Sequence, residues 1–219
     1  TVLIEGNNDM TFYRYDATTS WDISTFSLSS THSVGGSYVV RDIFFNPDGT
    51  KLYIADQNGY VREFTMPTAF DLDNMSLNYS LSTQSSNTWT LTFSSDGTKL
   101  YEGGSSGGNI YQYNLSSAWD LSTASYEKQL PLNPTLNDMK IFMGNSDNSM
   151  YVGNYNNFEE KVHQLDLSTK KDISTATFDS NQYKDLSYRP LGLHFKPDGT
   201  KFYYINSTNI RQFTLYDLL

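Results

Sequence analysis

The segment Gly103-Gly104-Ser105-Ser106-Gly107 comes nearest to a reactive centre, because it matches the Gly-x-Ser-x-Gly pattern of a nucleophile elbow. That chemistry needs a strained strand-to-helix turn and a histidine within reach of the serine. Here the flanking residues, 99–103 and 110–115, read as strands, so the segment is expected to be a flexible loop between them. His32, His163 and His194 fall in separate strand-like runs and are expected to be structural rather than catalytic or metal-binding. Three Asp/Asn-rich stretches, 56–59, 71–74 and 145–148, offer oxygens to calcium, but none has the full spacing of a calcium loop. The chain has no cysteine, which removes a thiolate nucleophile, a disulfide and a Cys-based zinc site. No catalytic residue, metal ligand or cofactor is expected.

Binding chemistry is better represented. Trp21, Phe70 and Trp119 each stand just before an aspartate, and Lys171 and Tyr216 hold the same place elsewhere. One reading makes these aromatics loop anchors. The other makes them equivalent platforms for sugar rings, with Asp and Asn bonding hydroxyls, so that repetition supplies multivalency. Trp89 differs, because its equivalents in other copies are Arg41 and Leu191, and a non-repeated aromatic suits a specific site. The candidate ligand-binding residues are therefore Trp89, Arg41, Arg189, Trp21, Trp119, Phe70 and Asp56.

These residues are carried by a repeat. Phe-Asn-Pro-Asp-Gly-Thr-Lys-Leu-Tyr at 45–53 returns as Phe-Ser-Ser-Asp-Gly-Thr-Lys-Leu-Tyr at 93–101 and Phe-Lys-Pro-Asp-Gly-Thr-Lys-Phe-Tyr at 195–203, with a worn copy at 144–151. A second marker, aromatic-Asp-Ile/Leu, follows each by about half a period. Each unit reads as four short strands, for example 88–93, 99–103, 110–115 and 122–129, bounded by Gly, Asn, Ser or Asp. Asp-Gly is a hairpin signal, and no sustained helical period is present, so little helix is expected. The third strands, such as Val61-Arg62-Glu63-Phe64 and Ile110-Tyr111-Gln112-Tyr113, carry large residues on both faces, as expected of a sheet packed between two neighbours. Their recurring Gln, Glu or Arg is expected to bond across to the next sheet.

Four antiparallel strands repeated every ~40–50 residues predict an all-β β-propeller. The Phe-x-Pro-Asp-Gly-Thr-Lys-Leu-Tyr phrase, with Ile-Tyr-Gln-Tyr-x-Leu-Ser-x-Ala-Trp-Asp-Leu downstream, resembles the WD40-like and lactonase-like propeller repeats of bacterial surface proteins and phage tail or fibre proteins. The resemblance covers nearly the whole chain and implies a fold more than a function. It predicts one domain over 1–219, with units near 1–38, 39–86, 87–133, 134–187 and 188–219. The first unit lacks a first strand and the last lacks a fourth. Five blades with incomplete first and last blades are expected, or a chain cut from something longer, to which the missing initiator Met adds weak support. A partial ring completed by oligomerisation is the alternative. Lactonase-like enzymes are expected to gather carboxylates, Asn or His at the axis. The corresponding places here are Arg41-Asp42, Trp89-Thr90, Asp138-Met139-Lys140 and Leu191-Gly192, a mixed set that argues against a metal-centred hydrolase.

The 219-residue chain has a formal charge of −9, which disfavours nucleic acid and anionic membranes as partners, and no apolar run spans a bilayer. The expected function is a non-enzymatic recognition module, extracellular, on a cell surface or on a virion. It would bind a glycan or protein receptor through the loops 6–10, 56–59, 103–109 and 153–160, with Trp89, Arg41 and Arg189 near the axis. The alternatives are a structural component of a fibre or surface layer, as a homo-oligomer or part of a larger multidomain chain, and, last, a lactonase-like hydrolase.

Overall fold

The computed structural model describes residues 2–5, 11–33, 39–105, 107–132, 139–156, 159–186, 188–196, 198–206 and 209–214. The described strands form five antiparallel sheets, each a simple meander. The first holds β1 (Val2–Glu5), β2 (Thr11–Ala17) and β3 (Phe26–Ser33). The second holds β4 (Val40–Phe45), β5 (Lys51–Asp56), β6 (Tyr60–Thr65) and β7 (Ser76–Ser82). The third holds β8 (Thr88–Phe93), β9 (Lys99–Gly104), β10 (Asn109–Leu115) and β11 (Ala124–Pro131). The fourth holds β12 (Lys140–Met143), β13 (Ser149–Asn156), β14 (Glu159–Leu167) and β15 (Ala176–Asp185). The fifth holds β16 (Gly192–Phe195), β17 (Lys201–Ile205) and β18 (Ile210–Thr214). This is a β-propeller arrangement. β4, β8, β12 and β16 touch in succession along the inside, and β1 touches β4.

The repeated phrase builds the first hairpin of each unit. In the Asp-Gly-Thr turns, Asp48, Asp96 and Asp198 each accept a bond from the backbone N–H of the Thr two residues on, at 2.9, 3.1 and 3.0 Å. Gly49, Gly97 and Gly199 follow at φ 73°, 72° and 70°, a conformation that glycine adopts without strain. The expected fourth strand at 122–129 begins later, because Leu121–Thr123 is a single 3-10 turn. Asp120 caps that turn through the Ser122 N–H, and Asp22 and Asp172 cap the matching turns through Ser24 and Ser174.

Apolar burial lies between sheets. Phe12, Val40, Leu52 and Phe64 fill the first junction, and Tyr53, Leu91, Phe93 and Tyr113 the second. Ile110, Ile141, Met150 and Leu165 fill the third, and Phe142, Val162, Phe195 and Phe202 the fourth. A polar seam accompanies them. Glu63 Oε2 accepts from the Leu121 N–H at 2.8 Å, and Gln112 Oε1 accepts from the Ile173 N–H at 3.0 Å. Between the first two sheets, Arg14 donates instead, to the Phe70 carbonyl at 3.4 Å.

A tyrosine hydrogen bond recurs at the same seam. Tyr53 Oη donates to the Trp119 carbonyl at 2.7 Å, and Tyr101 Oη donates to the Lys171 carbonyl at 2.8 Å. Tyr203 of the fifth sheet donates to the Trp21 carbonyl of the first at 2.9 Å, in the same manner. The last sheet is thereby tied back to the first.

Candidate functional site at the mouth of the inner strands

The inner strands begin irregularly. On β4 the pairing with β5 skips from Val40 to Asp42, and on β8 the pairing with β9 skips from Thr88 to Thr90. Arg41 and Trp89 are the extra residues of these two bulges. A bulge frees one residue from the ladder and re-aims its side chain. The two freed side chains meet: the Arg41 guanidinium lies 4.5 Å from the centre of the Trp89 ring. Arg189, just before β16, brings a second guanidinium to 5.2 Å from the same ring. Stacking of this kind holds a planar cation without consuming all its N–H donors.

Lys140, the first residue of β12, completes the cluster. Its Nζ donates to the Trp89 carbonyl at 2.8 Å and to the Arg41 carbonyl. Asp42 is the acid facing it, 4.0 Å away. Burial raises the Asp42 carboxyl above its ordinary range, opposed by Lys140 and by bonds from Thr90 and the Leu91 N–H. Thr90 Oγ1 in turn accepts from the Ile141 N–H at 2.9 Å, so a polar chain crosses the second, third and fourth sheets beneath the mouth. Arg41 Nη2 also donates to Gln57. Trp89 Nε1 and Arg41 Nε are buried and have no partner among the described residues. Both are donors, and the surroundings are cationic, an arrangement suited to an acceptor with negative charge.

The other candidates sit elsewhere. Trp21, Phe70 and Trp119 occupy the turn before the capped Asp position, at φ 62°, 61° and 62°. The Phe70 and Trp119 rings lie on Gly49 and Gly97 of their own units, where a Cβ would stand inside the ring. Trp119 also packs on Phe93 at 5.2 Å, whereas Trp21 keeps 37% of its surface exposed. Asp56 is buried and bonded to Arg62 at 2.7 Å. Tyr216, Asp138, Ser106 and the loop 6–10 lie outside the described residues. Ser105 lies between β9 and β10, with no helix following, and its N–H donates to the Asn87 carbonyl at 3.3 Å. His32, His163 and His194 stand on β3, β14 and β16, in three different sheets.

Sequence reasoning placed Arg41, Trp89 and Arg189 together but overlooked Lys140 as a member of the cluster and Glu102 altogether. Glu102 is wholly buried on β9 at a place where the other units carry Ile54, Val152 and Tyr204. That disagreement between copies was the available signal.

No family model matches the chain, and no curated protein matches it. Solved structures do. A "putative 6-phosphogluconolactonase" from Bacteroides uniformis superposes with a TM-score of 0.59 at 14% identity, covering 97% of this chain and 63% of its own. A functionally unknown protein from Desulfotomaculum acetoxidans gives 0.58 at 14% identity, covering 98% and 68%. Kuenenia stuttgartiensis hydrazine synthase gives 0.54 at 13% identity, covering 81% and 46%. The chain thus spans about half to two thirds of the length of these proteins, and at such identity the likeness is one of fold alone: a β-propeller.

Proposed function

We propose that this chain is a non-catalytic recognition module, a propeller of five blades with incomplete first and last blades. It binds a glycan or cell-surface receptor outside the cell or on a virion. The five sheets and the bond from Tyr203 back to Trp21 support the blade count. The observation that carries the binding reading is the convergence of Arg41, Trp89 and Arg189 from three sheets onto one stack at the mouth of the inner strands. The orphan donors there favour acidic ligands, such as glycans bearing carboxylate or sulfate groups. Arg41, Trp89 and Lys140 stand near the starts of the inner strands, and the one carboxylate described among them, Asp42, is engaged by Thr90 and the Leu91 N–H and faces Lys140, a cationic set unlike the grouped carboxylates or histidines that hold a catalytic metal.

The test is an array of neutral and acidic glycans. Acidic glycans are expected to bind, and Trp89→Ala to weaken them by about tenfold or more, as loss of a central aromatic anchor does. A flat array at high protein concentration overturns the reading.

A further inference from the structure

A second site lies between β9 and β10, outside the arginine–tryptophan cluster. A pocket of about 160 Å³ opens there, lined by Ser85, Asn87, Gly104, Ser105, Asn109 and Tyr111, among others, none of them charged. It exists because Gly104 stands where the second and fifth units carry Asp56 and Asn206. A Cβ on Gly104 would meet Ser85 Oγ and the Asn87 carbonyl, each at 3.1 Å.

Behind Ser85 lies Glu102. Its Oε1 accepts from the Ser85 N–H at 3.3 Å and from Tyr113 Oη at 3.2 Å. Its Oε2 is buried and, among the described residues, has no partner at hydrogen-bonding distance, as is Asn87 Oδ1, while the buried Ser85 hydroxyl faces the carboxyl and favours its charged form, leaving its oxygen lone pairs open. The orphaned atoms here are all oxygens, the reverse of the mouth. Facing Glu102 are Tyr111 and Tyr113 of β10, Leu91 of β8, and Gln84 and Ser85 of the preceding loop, with no charged side chain among them. Burial lifts the carboxyl to about 7.

The second sheet shows what is missing. There Asp56, the counterpart of Gly104, is paired with the guanidinium of Arg62, which also lies 4.8 Å from the Tyr60 ring. In the third sheet the acid has moved two residues along the same strand face, to Glu102, and Tyr111 stands in place of Arg62. The carboxyl has been kept and its cation removed, with a cavity left beside it.

We propose that this pocket binds a ligand carrying an ammonium group and no larger than about one sugar ring, with Ser85 and Asn87 accepting from the ammonium and Glu102 supplying the countercharge. A neutral polyol would bond the orphan oxygens but leave Glu102 uncompensated. The site goes beyond the recognition reading and is independent of what binds at the mouth.

Calorimetric titration with 6-amino-6-deoxyglucose and with glucose tests it, because the two differ only in the ammonium group. The amino sugar is expected to bind at least about tenfold more tightly than glucose. Its affinity is expected to be about tenfold higher at pH 8 than at pH 6, because Glu102 must lose its proton to pair. Glu102→Gln should erase both the preference and the pH dependence. Gly104→Ala, which sets a methyl against Ser85 and Asn87, should weaken both sugars, with a cooperative melting transition and an unchanged circular dichroism spectrum certifying the fold of each variant. Equal binding of the two sugars, binding of neither, or amino-sugar binding indifferent to both substitutions overturns the proposal. A positive glycan array alongside any of these leaves the recognition reading standing, and a flat array alongside amino-sugar binding leaves this site standing.

Discussion

The fourth copy of the repeated phrase looks degraded only when its residues are taken one at a time. Where the second and third units have Gly under an aromatic ring, this one has Asp147 at φ 59° and Lys171 at φ 65°. Asp147 accepts from the Ser95 N–H and Oγ at 2.8 and 2.7 Å, and Lys171 Nζ lies against Asp96 and 4.0 Å from Asp147. A ring-on-glycine contact has been exchanged for an ionic clasp onto the third sheet. Gly97→Ala should therefore destabilise the protein by about 2–3 kcal/mol, through positive φ and collision with Trp119, in urea unfolding. The same change at Gly199, with nothing within 4 Å of its Cβ, should cost only the backbone share, about 1 kcal/mol. Equal costs at both positions would refute the ring-on-glycine account. The phrase, its turns and its glycines were legible in the sequence. The exchange was not, because it pairs residues of two units that only the tertiary fold brings together.

Glu102 gives the residue scale its pH signature. Its folded carboxyl is raised to about 7, while the unfolded one titrates near 4.5. Between these values the folded state binds more protons than the unfolded, so stability falls as pH rises through this window and levels off above it. Glu102→Gln removes the penalty. Relative to the parent, the variant should gain stability between pH 4 and pH 8 by an amount on the order of 3 kcal/mol. Melting curves at the two pH values measure it, and a gain independent of pH would mean that Glu102 is not the group titrating.

At the scale of elements, bulges do two different jobs. The inner bulges on β4 and β8 free Arg41 and Trp89 for the mouth. The outer ones interrupt the pairing of the last two strands in each of the first four sheets. In the second and third sheets the outer bulge turns Asn78 and Glu127 toward the third strand, where Asn78 donates to Glu63 and Glu127 accepts from Gln112. A bulged outer strand is a poor template for edge-to-edge pairing, which weighs against assembly through blade edges. Strand number and order were readable from alternation and turn residues, but bulges leave no mark on hydrophobic pattern, so the aim of Arg41 and Trp89 was not. Neighbouring inner strands are joined by side-chain bonds, and Thr90 links three of them. Thr90→Val removes one bond to Asp42 and leaves the Ile141 N–H without its acceptor. Guanidinium unfolding should register a loss of about 1–3 kcal/mol at nearly constant shape. No measurable loss would show that the polar chain contributes nothing.

For the whole molecule, the junctions are unequal. Four of them are filled by clusters of buried apolar side chains. Between the fifth sheet and the first, the described contacts are the Trp21 ring stacked on His194 at 6.1 Å, its approach to Tyr203 at 6.1 Å, and the bonds of Tyr203 and Lys201 to the Trp21 carbonyl. Burial scales stability with apolar area, so among the described residues this junction is the least supported and is expected to open first. Trp21→Ala removes the stack and also places alanine at positive φ, whereas Tyr203→Phe removes only the hydroxyl. Both should lower hydrogen-exchange protection in β16–β18 and β1–β3, Trp21→Ala the more, while β8–β11, held between two filled junctions, keep theirs. Equal loss across all sheets would instead mean that the ring unfolds as one unit and that Trp21 is not a separable latch. The repeat made the latch residue visible as one of a series. Only its position at the join of last sheet to first gives it this role, and the series contains no residue-level sign of which member that is.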